Sequence, residues 1–259
     1  MYNDLFSIGP LTFHTYGLMI AIGVLACISL AEKSARFLHL DDETIFPLAL
    51  WCLVDGGIGS KLLYFVTIRK ELLADPASIV NHLSSGWVVY GGIIGGIAAS
   101  VLYLCRVKKT VYLPYFDACM PAVSLAQGFG RLGCFFAGCC YGVETDAWYG
   151  IAFTHSDYAP NHVKLFPSQL ISSAYDFALC AFLVWLMRRK KVRPGVVGSL
   201  YLVFNSIGRF IIEFFRGDLA RGSVGVLSTS QFIAVFLLAA GIALAAFCQK
   251  RQNNNGLTA

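Results

Sequence analysis

Charge is scarce in this sequence. Asp, Glu, Lys and Arg together make up 14% of its 259 residues, where a soluble domain carries about 25%. A water-exposed chain of this length still needs a polar surface, so the deficit points to lipid as the solvent. The mean hydropathy of +0.65 and the 57% hydrophobic content agree. A strong basic excess is missing too: the net charge of +5 gives little basis for nucleic-acid binding, and none is expected. No basic segment precedes the first apolar run, which is also longer than a signal-peptide core; it is read as a retained helix. No repeat, low-complexity linker or composition break divides the chain. Residues 1–251 therefore read as a single transmembrane domain, and 252–259 as a polar, disordered cytoplasmic tail.

Apolar runs of about 20 residues, each long enough to cross a bilayer, cover 16–37, 45–68, 87–104, 115–136, 168–187, 195–215 and 228–248. They predict an all-α polytopic membrane protein of about seven transmembrane helices. With the N-terminus outside, twelve of the twenty Lys and Arg residues fall in inside loops, five fall in outside loops and three lie in or at the ends of spans. Inside loops favour positive charge, so the expected orientation is N-terminus outside and C-terminus cytoplasmic.

Several side chains stand out against this background. A charge at the bilayer centre costs at least about 2.5–3.5 kcal/mol on insertion scales and is a functional candidate by default. Asp55, Lys61, Arg131, Asp176, Arg209 and Glu213 are such residues. Arg209 and Glu213 are four apart and share a helix face. They either compensate each other, or Glu213 aims Arg209 at a cavity. A packing or assembly role suits Asp55 and Lys61 equally well. Arg131 lies among glycines 128, 130, 133, 138 and 142, a density that predicts a break in the helix. Irregular backbone at membrane depth has to be buried or line a wet cavity, and an arginine there can grip a phosphate with both arms. The second and third spans are also rich in glycine, including Gly91 and Gly92. Such residues let membrane helices approach closely and leave room for a lipid chain or head group.

Six of the nine cysteines are scattered in or beside apolar runs and read as small buried hydrophobes. Cys134, Cys139 and Cys140 cluster. Zinc sites more often add further ligands to a paired-cysteine motif, so this spacing is a weak metal signal. A disulfide on an oxidising outer face, a nucleophilic thiol and small packing residues in a tight turn remain open.

Gly130-Arg131-Leu132-Gly133-Cys134-Phe135 resembles the glycine-arginine-x-glycine-asparagine-phenylalanine signature of the prolipoprotein diacylglyceryl transferases. Tyr16-Gly17-Leu18-Met19, Tyr90-Gly91-Gly92, Pro167-Ser168-Gln169-Leu170, Gly208-Arg209-Phe210-Ile211-Ile212-Glu213 and Leu227-Ser228-Thr229-Ser230-Gln231 resemble other motifs of that family in the same order. The likeness covers about residues 13–240. It implies a multi-pass protein of the bacterial cytoplasmic membrane. It also implies an enzyme that moves the diacylglyceryl group of phosphatidylglycerol onto the lipobox cysteine of a secreted prolipoprotein, with no metal or organic cofactor. By this resemblance Tyr16, Tyr90, Arg209 and Glu213 are catalytic, while Arg131, Gly133, Gly142, Gly91 and Gly92 bind substrate.

The sequence departs from the family at polar positions. Tyr90 stands where the family has histidine, Cys134 and Ala137 where it has asparagine, and Cys139 where it has glutamate. Phe166 replaces a histidine and Asn205 a tyrosine. These departures leave a different acceptor, a non-catalytic anionic-lipid-binding protein and a thiol-redox protein open as further readings.

Overall fold

A computed structural model describes residues 4–8, 11–74, 79–84, 86–189, 192–218, 223–225 and 227–256. Strands β1 (Asp4–Ile8) and β2 (Leu11–His14) pair antiparallel and lead into α1 (Thr15–Phe37). A 3-10 turn, Asp42–Thr44, opens onto α2 (Ile45–Thr67). The short helices α3 (Arg69–Ala74) and α4 (Ile79–Ser84) precede α5 (Val89–Leu102), which ends in a π-helical turn at Tyr103–Val107. After α6 (Tyr112–Ala137) come β3 (Ile151–Ala152) and β4 (Lys164–Leu165), paired antiparallel. Then follow α7 (Ser168–Met187), α8 (Val196–Glu213), the antiparallel pair β5 (Ser223–Val224) and β6 (Leu227–Ser228), and α9 (Thr229–Gly256).

The protein is a helical polytopic membrane protein. Six of the described helical segments are long and apolar enough to cross a bilayer: Thr15–Phe37, Asp42–Thr67, Val89–Val107, Ser168–Met187, Val196–Glu213 and Thr229–Lys250. Their faces expose large apolar side chains such as Leu25, Val54, Ile94 and Phe236, as lipid contact requires. Helix α6 has 26 residues, about 39 Å of helix, but is not among the six; Asp117, Gln127, Arg131 and three glycines dilute its apolar character. Helix α9 runs through Gly256, into the stretch expected to be a disordered tail. Residues 257–259 lie outside the described residues. The chain forms two compact units, one of Met1–Leu38 with Leu113–Ala259 and the other of His39–Tyr112.

In the first unit, Leu179, Leu183 and Met187 of α7 meet Val197 and Tyr201 of α8 in a buried cluster. Buried serines join α6 to α7: Ser124 Oγ donates to the Asp176 carbonyl at 2.8 Å and Ser173 Oγ to the Gly128 carbonyl at 2.9 Å. Asp117 of α6 fixes the start of α8. Its two carboxylate oxygens accept the backbone N–H groups of Gly195 and Gly198 at 2.6 and 2.7 Å, satisfying donors that a helix start leaves open and placing negative charge at the positive end of the helix dipole.

The glycine-rich segment around Arg131 stays helical to Ala137, against the expectation of a break. Each interior glycine costs roughly 1 kcal/mol of helix propensity, but these let large side chains close on the backbone. Phe177 of α7 sits against Gly128, and Tyr16 and Met19 of α1 against Gly133. The helix ends only at Gly138, whose φ of +74° suits glycine.

In the second unit, α2 and α5 touch backbone to backbone. Gly59 meets Gly91, and Gly95 meets the Asp55 carbonyl, at contacts that leave no room for a Cβ. Gly91 therefore has a packing role here. Lys61 donates from Nζ to the carbonyls of His82 and Gly86 at 2.6 and 3.2 Å, with the Trp87 ring 4.7 Å away, so carbonyls and an aromatic face stand in for water around this charge. Gly91→Val should destabilise the protein by about 1–3 kcal/mol through overpacking, whereas Gly57→Ala, with open space at its Cβ, should not destabilise it and should raise stability by up to about 1 kcal/mol. Thermal unfolding in detergent reads both, and equal effects would contradict the close-packed interface.

Candidate active site

The charged residues of the first unit converge where α8 ends and α9 begins. Arg209 Nη2 lies 3.4 Å from Glu213 Oε2 and donates to Ser230 Oγ at 3.1 Å. Glu213 Oε1 accepts from Ser228 Oγ at 3.1 Å. One turn on, Arg216 grips Asp218 with two hydrogen bonds of 2.9 and 2.8 Å, while its Nη1 stands 3.9 Å from Glu213 Oε2. The side chains of Glu213 and Arg216 are 7% and 5% exposed, that of Arg209 24%. Among the described residues Glu213 Oε2 has no hydrogen-bond partner despite its two arginine neighbours; the guanidiniums pair with it by charge without aligned N–H groups. Burial alone would lower the Arg216 pKa. The hydrogen bond to Asp218, with help from Asp218 charge and Cys140, outweighs it, and the guanidinium is held above its ordinary value.

Arg131 reaches the same neighbourhood from α6. It is within electrostatic reach of Tyr16, Cys134 and Asp176, and Asp176 is within reach of Arg209 as well. The buried Asp176 carboxylate thus feels the charge of arginines from two helices, without an ion pair to either. Tyr16, Arg131, Arg209 and Glu213 all belong to this unit. Tyr90, Gly91 and Gly92 begin α5 in the other unit, where Gly92 faces the Gly56 carbonyl.

Gly142 explains how Arg216 is placed. The segment from Tyr141 to Val143 runs between the end of β4 and the end of α8: Val143 N–H donates to Phe215 O at 3.0 Å, Gly217 N–H to Tyr141 O at 3.0 Å, and Phe166 N–H to Val143 O at 2.9 Å. A Cβ on Gly142 would strike the Phe166 and Phe215 carbonyls. Beside this seam lies a cleft of about 290 Å³, lined by Tyr141, Gly142, Glu144, Leu165 and Arg216 among others.

The three clustered cysteines come together. Cys134 is on the last turn of α6, and the chain doubles back through Gly138 so that the sulfurs of Cys134, Cys139 and Cys140 all lie within 4.8 Å of one another. All nine cysteines are free thiols in this structure. The turn is held from α7: Ser168 Oγ donates to the Cys140 carbonyl at 2.9 Å and Gln169 Nε2 to the Cys139 carbonyl at 3.0 Å. Cys140 has φ +60°, uncommon for a side-chain-bearing residue. Arg216 lies within electrostatic reach of the Cys140 sulfur. Hydrogen bonding with Cys134 and Cys140, with burial added, pushes the Cys139 thiol well up from its ordinary value.

From the sequence Arg216 counts only among the five outside-loop cations, and Asp218 has no role. Arg216 carried a usable signal: it falls three residues after Glu213 and seven after Arg209, at helical spacing. Asp176 stands out as a charge within a span, but the sequence does not show which arginines lie within its reach, because they come from other helices.

Fold and site together define a polytopic helical membrane protein with a buried cluster of arginines and acids suited to an anionic lipid head group. The model of the prolipoprotein diacylglyceryl transferase family matches residues 3–247, and the chain belongs to that family. A phosphatidylglycerol–prolipoprotein diacylglyceryl transferase of Clostridium tetani is 44% identical over 92% of this chain and 94% of its own length. A second, from Clostridium perfringens, is 43% identical over 90% of each. One from Synechococcus elongatus is 33% identical over 92% of this chain and 84% of its own.

The raised Cys139 thiol carries little thiolate near neutrality, and the thiolate is the reactive form. Cys139 should therefore alkylate at least about tenfold more slowly at pH 8 than the exposed Cys105, as followed by mass spectrometry in metal-free buffer. Equal rates would contradict the assignment.

Proposed function

We propose that this chain transfers the diacylglyceryl group of phosphatidylglycerol to the thiol of a lipobox cysteine in a secreted prolipoprotein. The observation that carries the reading is the arginine cluster: Arg209 and Arg216 share Glu213, and Arg131 and Arg209 both lie within electrostatic reach of Asp176. In the reaction the acceptor sulfur attacks the glyceryl carbon that bears the phosphate. That carbon–oxygen bond breaks, and glycerol phosphate leaves with the electron pair. Negative charge grows on the departing oxygen, and fixed guanidiniums in a site poor in water stabilise it without reorganising. Arg131 and Arg209 grip the phosphate. Glu213 holds Arg209 in place, and Arg216, locked to Asp218, adds positive charge from the other side.

Tyr16 borders Arg131 and the cysteine turn, and Gly133 gives it room. Gly142 lets the strand beside Arg216 pass. Gly91 and Gly92 shape the second unit, and Tyr90, at the position of the family's histidine, is assigned to proton transfer by that correspondence. Helix α6 serves as the seventh span, which sets the N-terminus outside and the C-terminus in the cytoplasm, and the membrane is the bacterial cytoplasmic membrane.

The test is transfer from phosphatidylglycerol to a lipobox peptide by the detergent-purified protein, read as thioether-linked product. Arg131→Ala and Arg209→Ala should each lower kcat/KM by about 10²–10³-fold or more while the protein still inserts. Arg209→Lys should recover little, because an ammonium lacks the planar fork. Normal turnover by both alanine variants would overturn the reading.

A further inference from the structure

Transfer to a thiol requires a thiolate, and the residues usual for this family at several polar positions are absent here. A phenol, Tyr90, stands in place of an imidazole, and a phenol is a weak base near neutrality. Two of the other replaced positions are now Cys134 and Cys139. Those two, together with Cys140, form one group of three soft donors.

The geometry of that group is close to that of a metal site. Zinc–sulfur bonds are about 2.3 Å, so sulfurs on a tetrahedral zinc stand about 3.8 Å apart; those of Cys134, Cys139 and Cys140 lie within 4.8 Å of one another without any ion. Among the described residues no fourth His, Cys, Asp or Glu joins the three. Three protein ligands with one position left open is the pattern of catalytic zinc, whereas structural sites fill all four. Support around the sulfurs is also present. The turn is pinned by Ser168 and Gln169 through the carbonyls of Cys140 and Cys139, the kind of outer contact that orients metal ligands, and Arg216 lies within electrostatic reach of the Cys140 sulfur. Zinc with three thiolates carries a net charge of −1, and a fourth thiolate makes it −2. Arg131, within reach of Cys134, and Arg216 offset that charge.

We propose that Cys134, Cys139 and Cys140 bind a zinc ion whose open fourth position takes the acceptor's cysteine as a thiolate, an inference that rests on the transferase reading above. The three protein thiols lose their protons to solvent when the metal binds, and the acceptor thiol loses its own on coordination. The zinc-held sulfur then attacks the glyceryl carbon, the carbon–oxygen bond breaks, and its electron pair leaves on glycerol phosphate beside the arginines. Zinc stays divalent throughout, so no oxidant or reductant is needed. The site supplies an activated thiol at neutral pH without a general base, which is what the altered residues otherwise leave wanting.

Cobalt(II) reports on such a site independently of turnover. The full chain is purified in detergent under a phosphine reductant, stripped with a chelator and titrated with cobalt. It should bind one equivalent and show thiolate-to-cobalt charge-transfer absorption. Cys139→Ser and Cys140→Ser should lose that absorption, and Cys105→Ser should keep it. A lipobox peptide should shift the cobalt ligand-field bands, while the same peptide with serine for its cysteine should not. Zinc added back to stripped protein should raise the transfer rate by about 10²-fold or more. The inference is overturned by absence of stoichiometric cobalt, by charge-transfer absorption that survives in both serine variants, or by a spectrum blind to the cysteine peptide. Full transfer by metal-free protein also overturns it and leaves the transferase reading intact. A peptide-sensitive cobalt spectrum with no product from phosphatidylglycerol supports the metal site and counts against the transferase reading.

Discussion

A charged side chain inside an apolar helix bundle has to be answered from within it, because lipid offers no water to solvate it and an unpaired buried charge is costly. The first unit of this protein is organised by that constraint. Asp117 answers the open end of α8, Asp176 answers Arg131 and Arg209, Glu213 stands between Arg209 and Arg216, and Asp218 closes the series on Arg216. Asp117 and Glu213 also tie one element to another, Asp117 joining α6 to the start of α8 and Glu213 joining α8 to Ser228. Among the described residues Glu213 Oε2 meets its two arginines by charge rather than by hydrogen bonds.

The helices were legible because their cause is local. Runs of about 20 apolar residues must span or be buried, and the 16–37 and 168–187 runs match α1 and α7 within a residue. The glycine-rich stretch around Arg131 misled because glycine carries two opposed meanings. Its helix cost is a property of the residue, whereas its packing gain depends on a neighbour, Phe177 or Tyr16, that arrives from another part of the chain. The strand pairs near the helix ends are only two residues long in β3–β4 and β5–β6, too short to leave a period in the sequence.

For the site, the motifs located Arg131, Arg209 and Glu213 and their chemical kind, but not the network that holds them. Arg216 looked like one more loop cation until the Gly142 seam folded it inward. The cysteine cluster shows the same limit from the other side. A spacing of four residues and then none is a weak metal signal in one dimension; a helix end at Ala137 and a turn through Gly138 convert it into three adjacent sulfurs. In both cases backbone turns of a few residues carry the function.

The central claim is that the charge of one buried carboxylate, Asp176, acts on arginines from two helices. It is tested most directly by a double-mutant cycle on Asp176→Asn and Arg209→Lys, read as kcat and KM for phosphatidylglycerol. Asp176 touches no reacting atom in this account, so its loss should act through the arginines. The prediction is that Asp176→Asn lowers kcat by about tenfold or more in the native background and by much less once Arg209 has been replaced. Equal losses in the two backgrounds would show that Asp176 and Arg209 act independently and would contradict the account.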